Sequence, residues 1–205
     1  MDYLWMAPPF KMKPFVKMNK KETQQHFDWY LQQIPLRIQV LYNLTNGIVK
    51  LDYSKESLID IFKWYLSVIE VRTLTDEEIQ KDLDELRQYP DFIYEDEKER
   101  LLQNPVDLEV NDYALAMDIA IYYAETIIKH NPQVQWTFLT KPKSYIYLNE
   151  PILHFEDENV EFNRNPRQLL NVIIQKIKKN KVDEQHLYNR FLADESLIIG
   201  ENHFE

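Results

Sequence analysis

From Asp112 to His130 apolar residues at helical spacing nearly surround the segment: Tyr113, Leu115, Ala116, Met117, Ile119, Ala120, Ile121, Tyr122, Tyr123, Ala124, Ile127 and Ile128. A helix that is hydrophobic on almost all sides has to be enclosed by other elements. The segment therefore predicts a central, buried helix, which Pro132 stops because its ring removes a backbone donor. Directly afterwards the pattern becomes alternating. Val134, Trp136 and Phe138, then Tyr145 and Tyr147, interleave with polar residues around Lys141, Pro142 and Lys143, which predicts a β-hairpin. Ile152 to Phe155 offers a third strand. The expected fold class is α+β, mostly helical, with one central buried helix packed on a small antiparallel β-meander.

Other helices follow from periodicity and end signals. Asn19 is placed to cap a helix carrying Phe27, Tyr30 and Leu31 on one face. Pro35 either interrupts that helix or begins a second, in which Ile34, Ile38, Leu41 and Leu44 continue the spacing to Gly47, the expected left-handed cap. Ser54 reads as the N-cap of a helix to about Arg72, with Leu58, Ile61, Phe62, Tyr65, Leu66 and Ile69 as its apolar stripe. Thr75 and Glu78 match a capping box and open a helix to about Gln88. Residues 90–110, bracketed by Pro90 and Pro105, read as a connection with one helical turn at Glu97 to Gln103. Pro166 suits the first turn of a helix to about Lys179, and a last helix spans Asp183 to about Leu192. The expected organisation is an extended arm over 1–18, a single α+β domain over 19–195 and a loose tail over 196–205.

Composition changes the picture mainly by exclusion. Only Gly47 and Gly200 occur among 205 residues, too few for a phosphate-cradling loop, which needs several positions without a Cβ. With no cysteine, disulfides, thiolate metal sites and thiol nucleophiles are removed together, which fits a reducing cytoplasm. The first twenty residues mix Pro8, Pro9 and Pro14 with four lysines and lack a signal-peptide core. The most apolar helix is broken by Asp118 and Glu125, so no membrane span is expected. A cytoplasmic location follows as the expectation.

Asp118 and Glu125 lie two helical turns apart and so share a face. Burial there would raise a carboxyl pKa, as a general acid requires, although buried charges are more often simply paired. His154, on the third strand, can meet either carboxylate in space, though the sequence sets no distance between them. None of the five histidines, His26, His130, His154, His186 and His203, has the i, i+4 spacing of a helical metal site, and no serine stands in a glycine-flanked elbow. No cofactor and no metal are expected. Asp118, Glu125 and His154 are thus weak catalytic candidates, and the reading they allow is a small-ligand binder or a hydrolase-type enzyme.

Charge is distributed unevenly. Between Asp76 and Glu99 stand eleven acidic and three basic residues, a balance of −8 within a chain whose net charge is −10. Such a surface repels nucleic-acid phosphates and steers basic proteins toward itself. Asp82, Asp84, Glu85, Glu95, Asp96 and Glu97 are the candidate partner-binding residues. An aromatic arm of Tyr3, Trp5, Phe10 and Phe15 can dock on its own body or on a second subunit, the latter giving a homodimer.

Three stretches, "HFDWYLQQIPLRIQVL" from His26 to Leu41, "LDYSKESLIDI" from Leu51 to Ile61, and "DIAIYYAETIIKHNPQVQW" from Asp118 to Trp136 with "EPILHF" from Glu150 following, resemble a loose group of uncharacterised bacterial proteins, some of them immunity-protein-like. The resemblance implies an α+β fold and carries no catalytic residues. The function expected is that of an immunity-like or regulatory protein presenting an acidic face to a basic protein partner, without nucleic acid or membrane.

Overall fold

Residues 3–200 are described in the computed structural model of the chain. In order they form α1 (Lys20–Thr45), α2 (Ser57–Val68), β1 (Val71–Thr73), α3 (Asp76–Leu86), α4 (Asp91–Gln103), β2 (Val106–Leu108), α5 (Val110–His130), β3 (Gln135–Thr137), β4 (Ile152–Glu156), β5 (Glu161–Arg164), α6 (Pro166–Ile177) and α7 (His186–Ile198). Strands β3, β4 and β5 make an antiparallel meander, and β1 and β2 a separate antiparallel pair. The expected α+β class, mostly helical, is the architecture observed.

Helix α5 is the axis of the molecule. Leu115, Ala116, Ile119, Ala120, Tyr122, Tyr123, Ala124 and Ile127 are all buried, and α1, α2, α6 and α7 pack around them. Leu153 of β4 and Phe162 of β5 enter the same core. A nearly uniform apolar helix has no face that water can solvate without loss, so enclosure from several directions is its stable arrangement.

Local signals hold where chemistry is specific. Asn19 and Glu22 form a full capping box at the start of α1, Thr75 and Glu78 do so for α3, and Asn165 caps α6 with Pro166 in the first turn. Helix α1 closes on Asn46 at φ 49°, followed by Gly47 at φ 73°, so two successive left-handed residues turn the chain.

Several expectations are corrected. Pro35 neither ends α1 nor begins a second helix; it lies within one continuous helix of 26 residues. Tyr30 and Ile34 before it, and Arg37 and Leu41 after it, are buried on the same side, and Pro35 itself is exposed, so the carbonyl it leaves unpaired can be solvated. Helix α2 begins at Ser57, and Ser54 caps the turn before it, its Oγ accepting from the Ser57 amide at 3.3 Å. That helix stops at Val68 because Val71–Thr73 pair with Val106–Leu108, two strands too short to show a period. The connection over 90–110 is mostly helix α4. The hairpin partner of β3 is not Tyr145 to Tyr147 but β4, with Gln135 opposite His154 and Thr137 opposite Ile152. Residues 138–151 instead form a loop whose Asn149 Nδ2 donates to the carbonyls of Phe15 and Met18, tying it to the arm. The third strand is therefore central, and β5 completes the sheet. Helix α7 continues to Ile198, which is buried, so the segment expected to be loose from residue 196 begins as helix. Residues 201–205, His203 among them, lie outside the described residues.

Candidate functional site

The central helix presents Asp118 and Glu125 to separate neighbours. Asp118 is 1% exposed and Arg37 of α1 is 3% exposed. Arg37 Nε donates to Asp118 Oδ1 at 2.7 Å and Nη2 to Oδ2 at 2.6 Å, while the Tyr3 hydroxyl donates to Oδ2 as well. The remaining Arg37 donors reach the Leu4 carbonyl at 2.7 Å and the Tyr3 oxygen at 2.9 Å. Burial pushes the Asp118 carboxyl up, and the bonds from Arg37 and Tyr3 oppose it. Glu125 accepts from Trp136 Nε1 at 2.8 Å; burial raises its pKa against that single bond. His154 Nδ1 meets Asn163 Oδ1 on the adjacent strand at 2.8 Å. The cavity beside Asp118 is lined by neither Glu125 nor His154. The three weak catalytic candidates therefore have three different sets of partners, and the structure does not gather them.

A second buried network was not legible in the sequence. Asp194 of α7 is fully buried and accepts from Arg164 at 2.7 and 2.9 Å, from Arg190 at 2.7 Å and from the Tyr123 hydroxyl at 2.8 Å. It joins β5, α5 and α7, and its four donors saturate a carboxylate in the way buried charge demands. Its role is architectural.

The acidic segment is different in kind. Helices α3 and α4 form a helical hairpin in which neither has a buried residue. The antiparallel pair β1 and β2 closes its base, Val71 opposite Leu108 and Thr73 opposite Val106. Arg72 fastens that base, donating to both Glu78 oxygens at 2.7 and 2.9 Å and pairing with Glu109 at 2.6 Å. The Arg72 bonds hold the Glu78 carboxyl down at about 2. Asp84, Glu85, Glu95 and Asp96 are exposed, and Asp82 and Glu97 are half-buried. Asp82, Glu85 and Glu97 face Lys178 and Lys179 across a cleft of about 610 Å³ against the end of α6. Burial, then the charges of Glu85 and Asp107, push the Asp82 carboxyl up. Along the outer surface Asp84 pairs with Arg87, Glu95 with Lys98, and Asp96 and Glu97 with Arg100. These are exposed pairs of little energetic weight, and they leave the excess of negative charge in place.

At the elbow between the two helices Tyr89 is 49% exposed and Phe92 75% exposed. Sequence reasoning passed over both because they flank Pro90 in what read as a connection. The available signal was two large aromatics within a strongly acidic stretch, with no periodic stripe to bury them. The hairpin thus carries an acidic surface with an aromatic tip, and it can attract and anchor a cationic surface.

Among the described residues no group of three or more His, Asp or Glu side chains converges to hold a metal ion, and no helix is long and apolar enough to cross a membrane. No family model, curated protein or solved structure matches the chain.

Proposed function

We propose that this is a partner-binding protein, immunity-like or regulatory, which uses the α3–α4 hairpin to engage a basic protein such as a nuclease toxin. The observation that carries the reading is the pairing of a −8 segment with Phe92 and Tyr89 held out at its tip. Charge of one sign accelerates encounter with the opposite sign and contributes less to the final affinity, whereas exposed aromatics supply the buried anchors that slow dissociation. The base of the hairpin is stapled by β1, β2 and Arg72, so the two helices are presented in a fixed orientation and little ordering is needed on binding.

The test separates the two roles. With the full chain as bait against native cell extract, a captured basic protein should be lost with Phe92→Ala through faster dissociation. With Glu95→Lys and Asp96→Lys together, its association should slow by about tenfold or more at low salt. Capture that survives both changes equally, or association indifferent to ionic strength, would remove the hairpin from the reading.

A further inference from the structure

The arm over residues 3–18 does not lie flat on the body. Between it and helices α1, α5 and α6 remains an open cavity of about 440 Å³, within the roughly 300–1,000 Å³ of small-molecule sites. Its walls include Trp5, Met12, Phe15, Trp29 and Met117, a mixture of flat aromatic faces and adaptable thioethers.

The electrostatics of this cavity are specific. Arg37 lies at its floor and is neutralised by Asp118. Arg167, on the first turn of α6, has a guanidinium with neither hydrogen bond nor ion pair among the described residues; it lies over the Phe15 ring, 6.0 Å from its centroid. His26 is 4% exposed, and its Nδ1 is buried without a partner. Burial, and then the charge of Arg167, push His26 down to about 4, so the ring is neutral near pH 7. Among the described residues one uncompensated positive charge therefore remains in the cavity, in a chain whose net charge is strongly negative. An unpaired guanidinium beside an unpaired ring nitrogen marks a polar site whose complement is not supplied by the chain.

We propose that this cavity binds a small, flat monocarboxylate, with the carboxylate on Arg167 and the apolar body between Trp5, Phe15, Trp29 and Met117. A monoanion matches the single free charge, and the planar fork of a guanidinium matches two carboxylate oxygens. A phosphate fits poorly. The α6 amides that would cradle it are already used, since Asn165 Oδ1 accepts from Arg167 N at 3.1 Å and Gln168 N at 3.2 Å, and a dianion would face only one free cation. The site is remote in role from the acidic hairpin and stands or falls without it.

The test is calorimetric titration of the full chain with indole-3-acetate and its neutral isostere indole-3-acetamide. The acid should bind saturably at one site per chain and about tenfold or more tighter than the amide. Arg167→Gln, which breaks no side-chain hydrogen bond or ion pair among the described residues, should abolish that preference while leaving amide binding intact, with an unchanged thermal melt as the folding control. Trp5→Ala, at a residue 53% exposed, should weaken acid and amide by a similar factor. Absence of saturable heat from the acid, equal affinity for acid and amide, a preference that survives Arg167→Gln, or displacement of the acid by an equal concentration of inorganic phosphate would each overturn the assignment.

Discussion

Replacing Arg37 by Met should be among the most damaging single changes in this molecule. The change removes both guanidinium bonds to Asp118, at 2.6 and 2.7 Å, and leaves a carboxylate that is 1% exposed with only the Tyr3 hydroxyl as donor. Breaking a buried pair from one side costs about 3–5 kcal/mol, because the remaining charge has neither water nor a counter-ion. Against a total stability of roughly 5–15 kcal/mol for a domain, that is a large fraction. Asp118→Leu should cost a similar amount by stranding Arg37. The double replacement, Arg37→Met with Asp118→Leu, should lose far less than the sum and lie within about 2 kcal/mol of the native chain, since an apolar pair of similar volume needs no desolvation. Urea unfolding of the four proteins, with equal m-values, measures the cycle. Arg37 also donates to the Leu4 carbonyl and to Tyr3, and its guanidinium lies 5.3 Å from the Tyr3 ring centroid. Arg37→Met should therefore free the arm, with faster tryptic cleavage at exposed Lys11 and Lys17 under native conditions. Strictly additive losses, or single variants costing less than about 1 kcal/mol, would refute the claim that burial dominates at this pair.

His26 gives a pH dependence with a definite sign. Its folded pKa is lowered from 6.5 to about 4, so between those values the unfolded chain binds more protons, and the stability it contributes is full above about pH 6.5 and lost as pH falls toward 4. Linkage alone sets this at about 3 kcal/mol, reduced to about 2 by the water that reaches the adjoining cavity; the difference in urea midpoint between pH 7.5 and pH 4.5 should shrink in His26→Phe relative to the native chain. Thr75→Ala removes the side-chain acceptor of the Glu78 amide and should cost about 1 kcal/mol, seen as faster amide exchange confined to α3. Phe92→Ala, at a position 75% exposed, should change the unfolding free energy by less than about 0.5 kcal/mol, so that any loss of partner binding belongs to the surface and not to the fold.

Capping boxes, the proline at the start of α6 and the largely apolar α5 were legible in the sequence because each rests on residues within four positions of one another, where backbone geometry fixes who meets whom. Charge accumulation over Asp76 to Glu99 was equally readable, being a property of composition. Contacts across the fold were not. That Asp118 meets Arg37, 81 positions away, that Glu125 meets Trp136 instead of sharing a site with Asp118, and that Asp194 gathers four donors from three residues on β5, α5 and α7 depend on how helices are placed around α5. The three-residue strands β1 and β2 are held by each other rather than by any periodicity of their own. Pro35 remained inside a helix because both flanking turns are buried against the rest of the molecule, a tertiary gain that outweighs a local penalty of about 3 kcal/mol. The sequence by itself determined the capped helices, the buried α5 and where the charge lies. Only the tertiary structure decided which polar groups are paired, because pairing depends on distances set by packing; it left the Arg167 guanidinium without a hydrogen bond or ion pair among the described residues and Phe92 in water.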